Sequence, residues 1–195
     1  MNLKGLVGAA AVMAAAATGA HASNLLVNGS FETGDLSGWY NTGNSDHTFV
    51  TPGFGGYGPQ DGSYFVAFGA VGGDYGLNQG FADVAGQTYT VSYYVAGNGT
   101  GFSDVNAYID GTLEQTIGSP VPAQPYTRYS FTFVGTGADL LTLGLRNDPS
   151  YDALDNVSIS AGGVPEPATW AVMLLGILGV GAQLRMRRKS ALATA

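Results

Sequence analysis

The chain contains no cysteine, and only two histidines occur among its 195 residues. The absence of cysteine excludes disulfide bonds, thiolate nucleophiles and cysteine-ligated zinc. Charged residues are also scarce, at 11% of the chain against about 25% in an average soluble protein. The side chains that most enzymes use for catalysis are therefore few, whereas a hydrophobic fraction of 45% is enough for a folded core.

Basic residues are nearly absent between the two ends of the chain. Residues 23–163 contain Arg128 and Arg146 but 13 acidic residues, so their formal balance is 2 − 13 = −11. A surface of this sign repels phosphate backbones, which argues against nucleic-acid binding. It attracts divalent cations, and it is equally typical of a soluble, acidic, secreted domain.

Residues 1–22 have the three parts of a secretory signal peptide. Lys4 supplies the positive charge, residues 6–17 form the apolar core, and residues 20–22, Ala-His-Ala, match the small-x-small cleavage pattern. The apolar run is shorter than the ~20 residues that a membrane-spanning helix needs, which favours cleavage over a retained N-terminal anchor. We therefore expect the mature chain to begin at Ser23.

The C-terminal segment 164–195 also has three ordered parts. Val-Pro-Glu-Pro occupies residues 164–167, an apolar run follows at 168–184, and a basic cluster occupies residues 185–189. The apolar run is at the short limit for a single transmembrane helix, and the basic cluster would stay on the cytoplasmic side. A buried helix of a globular domain would show one polar face, which this run lacks.

Pro165, Glu166 and Pro167, followed by a short apolar span and an arginine-rich end, resemble the PEP-CTERM sorting signal of Gram-negative bacteria. The resemblance implies that an exosortase, a membrane cysteine protease, recognises this motif. The domain would stay anchored in the inner membrane until processing, and would then be released or transferred to the cell surface. The family also implies a link to exopolysaccharide and biofilm. We therefore expect a signal peptide (1–22), a secreted ectodomain (23–163) and a sorting signal (164–195).

Residues 24–160 alternate apolar and polar side chains between turn signals, which predicts short β-strands. Asp110-Gly111 is expected to form a two-residue hairpin turn, because glycine accepts a positive φ. Many short strands at this spacing predict an all-β sandwich or jelly roll. The expected strands are Asn24–Val27, Thr48–Thr51, Ser63–Phe68, Gly76–Phe81, Thr88–Val95, Val105–Asp110, Leu113–Ile117, Arg128–Val134, Leu140–Leu145 and Leu154–Ser160.

Short motifs in this region resemble carbohydrate-binding-module-like jelly rolls. They are the opening segment 24–32 with Gly38-Trp39, the middle segments 62–67 and 86–93, and the final segment 154–159. The resemblance implies a jelly-roll β-sandwich that contains Trp39 in its core.

The same resemblance implies a structural calcium ion. In such modules the opening and final strands lie side by side, and an acid from each holds the ion with backbone carbonyls; the matching acids here are Glu32 and Asp155. Calcium takes about six to eight oxygen ligands in irregular geometry, and Asn28 and Asp152 are candidate additional ligands. The alternative is that Glu32 and Asp155 are two solvated carboxylates.

Most catalytic routes are closed by elimination. After removal of the signal peptide His47 is the only histidine, and no Gly-x-Ser-x-Gly motif frames a serine. A glycosidase with paired carboxylates remains open, but no pair is marked in the sequence. Residues 53–58 match G-x-G-x-x-G, yet the turn signals that follow argue against the helix of a dinucleotide site. We therefore expect no enzymatic activity.

Sugar binding needs flat aromatic rings on a wet surface, beside polar groups that hold hydroxyls. Tyr94 and Tyr108 lie opposite the core phase of their strands, where they can share one exposed face. We therefore expect the domain to bind a neutral or weakly charged polysaccharide without cleaving it. The alternative is a structural matrix or adhesion protein without a discrete sugar site. Some ice-binding adhesins, which also carry PEP-CTERM signals, are examples of this second class.

Overall fold

The computed structural model describes residues 23–44 and 46–162, and beyond these only Gly176. The expected signal peptide at 1–22 and the expected sorting signal at 164–195 therefore lie outside the described residues, apart from Gly176. Within the described part of the chain, no helix is long and apolar enough to cross a bilayer.

Ten strands occur in residues 23–44 and 46–162, and they pair antiparallel throughout. Their bounds are β1 Tyr40–Gly43, β2 Thr48–Thr51, β3 Phe65–Phe68, β4 Tyr75–Ala82, β5 Thr88–Gly97, β6 Phe102–Ile109, β7 Thr112–Ile117, β8 Gln124–Val134, β9 Ala138–Asp148 and β10 Asp152–Ala161.

The strands form two five-stranded sheets. The A sheet has the order β1-β4-β9-β6-β7, and the B sheet has the order β2-β3-β10-β5-β8. Neighbours in each sheet are mostly distant in sequence, as is typical of jelly-roll sandwiches. The described residues between 23 and 162 form one compact unit with its own hydrophobic core.

The alternation of side chains along the strands produces this core. Val91 and Tyr93 on β5 are fully buried, and so are Leu141, Leu143 and Leu145 on β9. All five belong to one hydrophobic cluster that takes side chains from both sheets. Burial of each aliphatic side chain contributes ~1.5–3 kcal/mol relative to leaving it exposed. The all-β sandwich expected from the sequence is therefore confirmed.

Two local expectations are also confirmed. Trp39 is buried, and its Nε1 donates a hydrogen bond to the Asn28 carbonyl oxygen at 3.1 Å. Asp110 and Gly111 have φ values of 50° and 78° and connect the paired strands β6 and β7. Positive φ at both turn positions matches the twist of a two-residue hairpin.

The expected strand Asn24–Val27 is wrong, because this segment forms bends and turns. It does run beside β10, since the Leu25 N–H donates to the Ile159 carbonyl oxygen at 2.9 Å. Asn24, however, uses its side chain where a strand would use its backbone. Its Oδ1 accepts the Ile159 N–H at 2.9 Å, and its Nδ2 donates to the Val157 carbonyl oxygen at 3.0 Å. Side-chain contacts thus replace the regular ladder.

Strand β1 is not predicted by the alternation, because all four of its side chains are exposed. It forms because its backbone pairs with β4 over the whole of Tyr40–Gly43. The Asn78 side chain of β4 adds a hydrogen bond to the Tyr40 carbonyl oxygen at 3.2 Å. A long-range pairing, and no local pattern, therefore defines this strand.

Candidate functional site

Tyr94 and Tyr108 lie on different sheets, so they do not share one exposed face. Tyr94 is on β5 of the B sheet, and Tyr108 is on β6 of the A sheet. Each is half-buried between fully buried neighbours, as its outward strand phase predicts. The sandwich therefore has two outer faces, and each contains one of the two tyrosines.

On the outer face of the A sheet, four residues form a row across neighbouring strands. The register pairs Tyr40 with Asn78, Asn78 with Thr142, and Thr142 with Tyr108. Cross-strand partners project from the same face of a sheet, so these side chains stand side by side. Tyr40 is 52% exposed at one end of the row. Strands lie ~4.8 Å apart, so the backbones of Tyr40 and Tyr108 are about 14 Å apart.

Hydrogen bonds hold the centre of this row in one arrangement. Asn78 donates from Nδ2 to Thr42 Oγ1 at 3.1 Å, and its Oδ1 accepts the Thr142 hydroxyl at 2.7 Å. Asn78 itself is only 3% exposed. Its amide therefore holds the hydroxyl groups of Thr42 and Thr142 in place.

Beside the row, the sheet surface carries no side chains at two adjacent positions. Gly76 of β4 is paired with Gly144 of β9. A Cβ atom added at Gly144 would lie 3.0 Å from an Asp74 carboxylate oxygen and 3.6 Å from the Asn106 Cβ. Asn106 in turn donates from Nδ2 to Asp104 Oδ1 at 3.0 Å. An added Cβ at Gly76 would overlap Thr42 Oγ1, so the Thr42 hydroxyl and the Asp74 carboxylate lie over the two glycines, and this glycine patch is surrounded by polar side chains.

Charged groups lie at one end of this glycine patch. Burial raises the pKa of Asp104, the negative charge of Asp74 raises it further, and the positive charge of Arg146 opposes both. The Arg146 guanidinium carbon lies 4.3 Å from the centroid of the Phe102 ring, and one of its nitrogens lies 3.7 Å from an Asp148 carboxylate oxygen. The outer face of the A sheet therefore offers acceptors, donors and aromatic rings together.

One half of the outer face of the B sheet is closed by the glycine-rich loop 53–58. Phe54 and Tyr57 exchange two backbone hydrogen bonds, at 3.1 and 2.9 Å. The loop is therefore a turn, as expected, and no helix follows it in the described chain. Phe54 packs edge-on against Phe49 and Tyr151, with ring centroids 5.0 and 4.7 Å apart. These rings pack on one another, and Phe54 remains 40% exposed.

The other half of this face forms a cavity of about 590 Å³. Tyr94 and Arg128, which are cross-strand partners on β5 and β8, belong to its floor. The N-terminal segment 24–30 and the pair Gln60-Asp61 contribute its walls. Tyr94 and Tyr108 thus belong to two separate candidate surfaces.

Glu32 and Asp155 both accept hydrogen bonds from backbone N–H groups of the loop 60–64. Asp155 Oδ2 accepts the Gln60 N–H at 2.8 Å, and Glu32 accepts the N–H groups of Ser63 at 2.9 Å and Tyr64 at 3.0 Å. Asp155 is 0% exposed. Burial raises the pKa of Asp155 to about 6, although hydrogen bonds from the loop oppose the rise and the nearby Glu32 adds to it.

As placed, these carboxylates do not form a calcium cage. Calcium takes about six to eight oxygen ligands, whereas backbone N–H groups point at the oxygens of Glu32 and Asp155. The candidate further ligands have other partners. Asn28 Nδ2 donates to the Asp35 carbonyl oxygen, and Asp152 Oδ1 accepts the Asn98 N–H. No group of three or more His, Cys, Asp or Glu side chains suited to a metal ion occurs within the described ranges. The calcium ion therefore stays a prediction.

The alternative of two solvated carboxylates holds only for Glu32, which is exposed, because Asp155 is fully buried. Both side chains connect distant parts of the chain to one loop. This use of a carboxylate as an acceptor for several N–H groups has no signature in the sequence, since the partners are backbone atoms.

Two carboxyl groups that the sequence does not mark as a pair influence each other: Asp83 directly follows β4, and Asp139 lies near the start of β9. Burial raises the pKa of Asp83, and its hydrogen bond with Asp139 raises it further. Burial also acts to raise the pKa of Asp139, but hydrogen bonds from Thr136 and Asp83 outweigh it and lower that pKa. Each of the two carboxyl groups thus shifts the pKa of the other.

Comparison with known proteins identifies the fold. No protein-family model and no curated protein sequence matches the chain. The solved structure of TmCBM61 in complex with β-1,4-galactotriose is similar, with a TM-score of 0.59 and 20% identity over 72% of this chain and 99% of that chain. The CBM22-1 xylan-binding domain from Paenibacillus barcinonensis Xyn10C matches with a TM-score of 0.53 and 18% identity, over 73% of this chain and 97% of that one.

Some structures of the same fold are enzymes. The Stig cyclase Fisc from Fischerella sp. TAU matches with a TM-score of 0.53 and 16% identity, over 73% of this chain and 98% of that chain. At such identities the similarity shows the fold alone. The chain therefore has the jelly-roll fold of carbohydrate-binding modules, and the fold by itself does not decide between binding and catalysis.

Proposed function

We propose that this protein binds polysaccharide without cleaving it, along the outer face of the A sheet. The observation that carries the proposal is the row from Tyr40 through Asn78 and Thr142 to Tyr108. An aromatic ring stands at each end of a polar strip, and aromatic rings pack on the apolar faces of sugars while polar groups hold the hydroxyls. The shared fold with a galactotriose-bound module and a xylan-binding domain supports this proposal.

The charge of the domain favours a neutral or weakly charged polysaccharide. Asp74 and Asp104 lie beside the glycine patch, and residues 23–163 carry a formal balance of −11. Strongly anionic glycans would be repelled by this field. An open sheet face buries less of a ligand than the 70–90% that is typical of pockets, so the affinity for each sugar unit is modest.

Affinity electrophoresis of residues 23–162 in gels that contain galactan, xylan or β-glucan tests the proposal. We expect retardation in at least one neutral gel. Tyr40→Ala and Tyr108→Ala should each weaken the binding by roughly two- to tenfold, because each removes one stacking ring. Val84→Ala removes an exposed apolar side chain outside the row, and it should leave the retardation unchanged.

The other outcomes separate the competing functions. If the protein releases reducing ends from a polysaccharide, and Asp104→Asn abolishes that release, the protein is a hydrolase. Absence of retardation in every gel would favour the structural matrix or adhesion protein.

We also propose that the domain is secreted and sorted to the surface of a Gram-negative cell by an exosortase, in association with extracellular matrix or biofilm. The support is the order of features in residues 164–195 and the signal-peptide pattern in residues 1–22.

A further inference from the structure

The cavity of about 590 Å³ on the outer face of the B sheet is separate from the row on the A sheet. Its volume lies within the ~300–1,000 Å³ that is typical of small-ligand pockets. The two faces belong to different sheets with the hydrophobic core between them. A ligand in this cavity would therefore make no contact with the proposed polysaccharide strip.

The walls of the cavity are held by hydrogen bonds. The Asn24 side chain ties the N-terminal segment to Val157 and Ile159 of β10. On the opposite wall Asn156 Nδ2 donates to Gln60 Oε1 at 2.6 Å. Both contacts bridge segments that are distant in sequence, so the cavity exists without a ligand. A pocket formed in advance loses less entropy on binding than one that must be assembled.

The floor contains side chains with unused hydrogen-bonding capacity. Within the described residues, Arg128 makes no ion pair. The ion pair found there joins Arg146 to Asp148. Neither the Arg128 guanidinium nor the Tyr94 hydroxyl makes a side-chain hydrogen bond in that part of the chain. Arg128 and Tyr94 are cross-strand neighbours, so a donor fork lies directly beside an aromatic ring.

Acceptors complete the cavity. Asp61 lines it and uses only Oδ1, which accepts the Gly62 N–H at 2.9 Å. The Ser92 and Ser158 hydroxyls are 2.9 Å apart on the floor. A cavity with one guanidinium, one free carboxylate oxygen, hydroxyls and an aromatic ring suits a neutral ligand with many hydroxyls, because such a ligand both donates and accepts. A carboxylated ligand would meet Asp61 and the acidic field of the domain.

We infer that this cavity is a second saccharide site, which takes the end of a neutral glycan or a free oligosaccharide. Tyr94 stacks on a sugar ring, Arg128 donates to its hydroxyl oxygens, and Asp61 accepts from its hydroxyl groups. The inference rests on the proposed function. It adds a pocket on the B sheet that binds chain ends to the strip on the A sheet that binds chain interiors.

Calorimetric titration of residues 23–162 with β-1,4-galactotriose, xylotriose and cellotriose tests the inference. We expect at least one trisaccharide to bind, with an affinity that falls roughly tenfold or more in Arg128→Gln, because a hydrogen bond from a charged group is lost. Tyr94→Ala should weaken it by roughly two- to tenfold. Thr132→Ala lies on the same strand β8 but outside the cavity, and it should change nothing.

The same variants in affinity electrophoresis separate this site from the strip. The inference is supported if Tyr94→Ala and Arg128→Gln weaken trisaccharide binding while retardation by polysaccharide still depends on Tyr40 and Tyr108. It is overturned if no trisaccharide binds, or if trisaccharide binding is unchanged in both cavity variants. A preference for glucuronate over glucose would overturn the neutral character of the ligand. If no polysaccharide retards the protein although a trisaccharide binds, the strip proposal fails and the cavity stands.

Discussion

Asp155 shows how a single buried carboxylate organises this domain at the scale of residues. It lies at the irregularity of β10, where the register with β5 shifts between Asp155 and Ser158. Its Oδ2 accepts the Gln60 N–H at 2.8 Å, and its Oδ1 accepts the Asn156 N–H at 2.7 Å. Backbone N–H groups, and no basic side chain, thus stabilise the ionised form, while burial favours the protonated form.

The raised pKa of Asp155 makes stability depend on pH in a defined direction. A carboxyl whose pKa is about 6 in the folded state and 3.8 in the unfolded chain binds more protons when folded between these values. The free energy of unfolding therefore falls as the pH rises from about 4 to about 6. We expect Asp155→Asn to flatten this part of the profile in thermal melts. Asp46→Asn, at an exposed site, is the control, and equal slopes in wild type and Asp155→Asn would contradict the prediction.

The predicted calcium ion at Glu32 and Asp155 is testable by the same melts. An ion that binds only the native state raises Tm as its concentration increases. The prediction is a higher Tm in calcium than in chelator for residues 23–162, with the difference lost in Asp155→Ala. Equal midpoints would leave the backbone N–H groups as the partners of both carboxylates. A shift that survives Asp155→Ala would place the ion elsewhere.

At the scale of elements, most strands follow from alternation, and the exceptions have physical reasons. The β2 bounds Thr48–Thr51 match the expected strand, because one face of it is in contact with the core. Strand β1 escapes prediction because it pairs at the edge with exposed side chains. The segment Asn24–Val27 has strand-like residues, but the Asn24 side chain takes over the contacts to β10.

Close packing of this segment on β10 predicts a sharp steric effect at Gly29. The Gly29 carbonyl accepts the Val157 N–H at 2.8 Å, and a Cβ atom at Gly29 would overlap the Val157 carbonyl oxygen. Overfilling such a contact costs ~1–3 kcal/mol. We expect Gly29→Ala to lower the urea midpoint accordingly.

Gly58→Ala is the matched control, because nothing lies within 4 Å of its added Cβ. Its effect should stay within about 0.5 kcal/mol. Equal losses in Gly29→Ala and Gly58→Ala would show that the segment does not pack closely on β10 in solution.

At the scale of the whole molecule, the sandwich separates two surfaces of different character. The A sheet offers an open strip with Tyr40 and Tyr108 at its ends, and the B sheet offers a cavity beside Tyr94. Both are supported by one core, so a variant on one face should leave the other intact. This independence is what allows the two sugar-binding proposals to be tested separately.

The sorting proposal is also a prediction about the whole chain. Replacement of Pro165, Glu166 and Pro167 by alanines in the native host should leave an unprocessed form in the membrane fraction. The measurement is the mass and location of the protein by blotting of cell fractions. A control with alanines at Ser190, Leu192 and Thr194, beyond the basic cluster, should be processed normally. Unchanged mass and location in the Pro-Glu-Pro variant would refute recognition of this motif.

The amino-acid sequence by itself determined most of the strands, the inward phase of residues such as Val91 and Leu143, and the acidic balance of the domain. These depend on local alternation and on composition, which can be read along the chain. Only the tertiary structure decided that Tyr94 and Tyr108 lie on opposite sheets, because sheet membership depends on which distant strands pair. For the same reason, the influence of Asp139 on the pKa of Asp83 emerges only after folding.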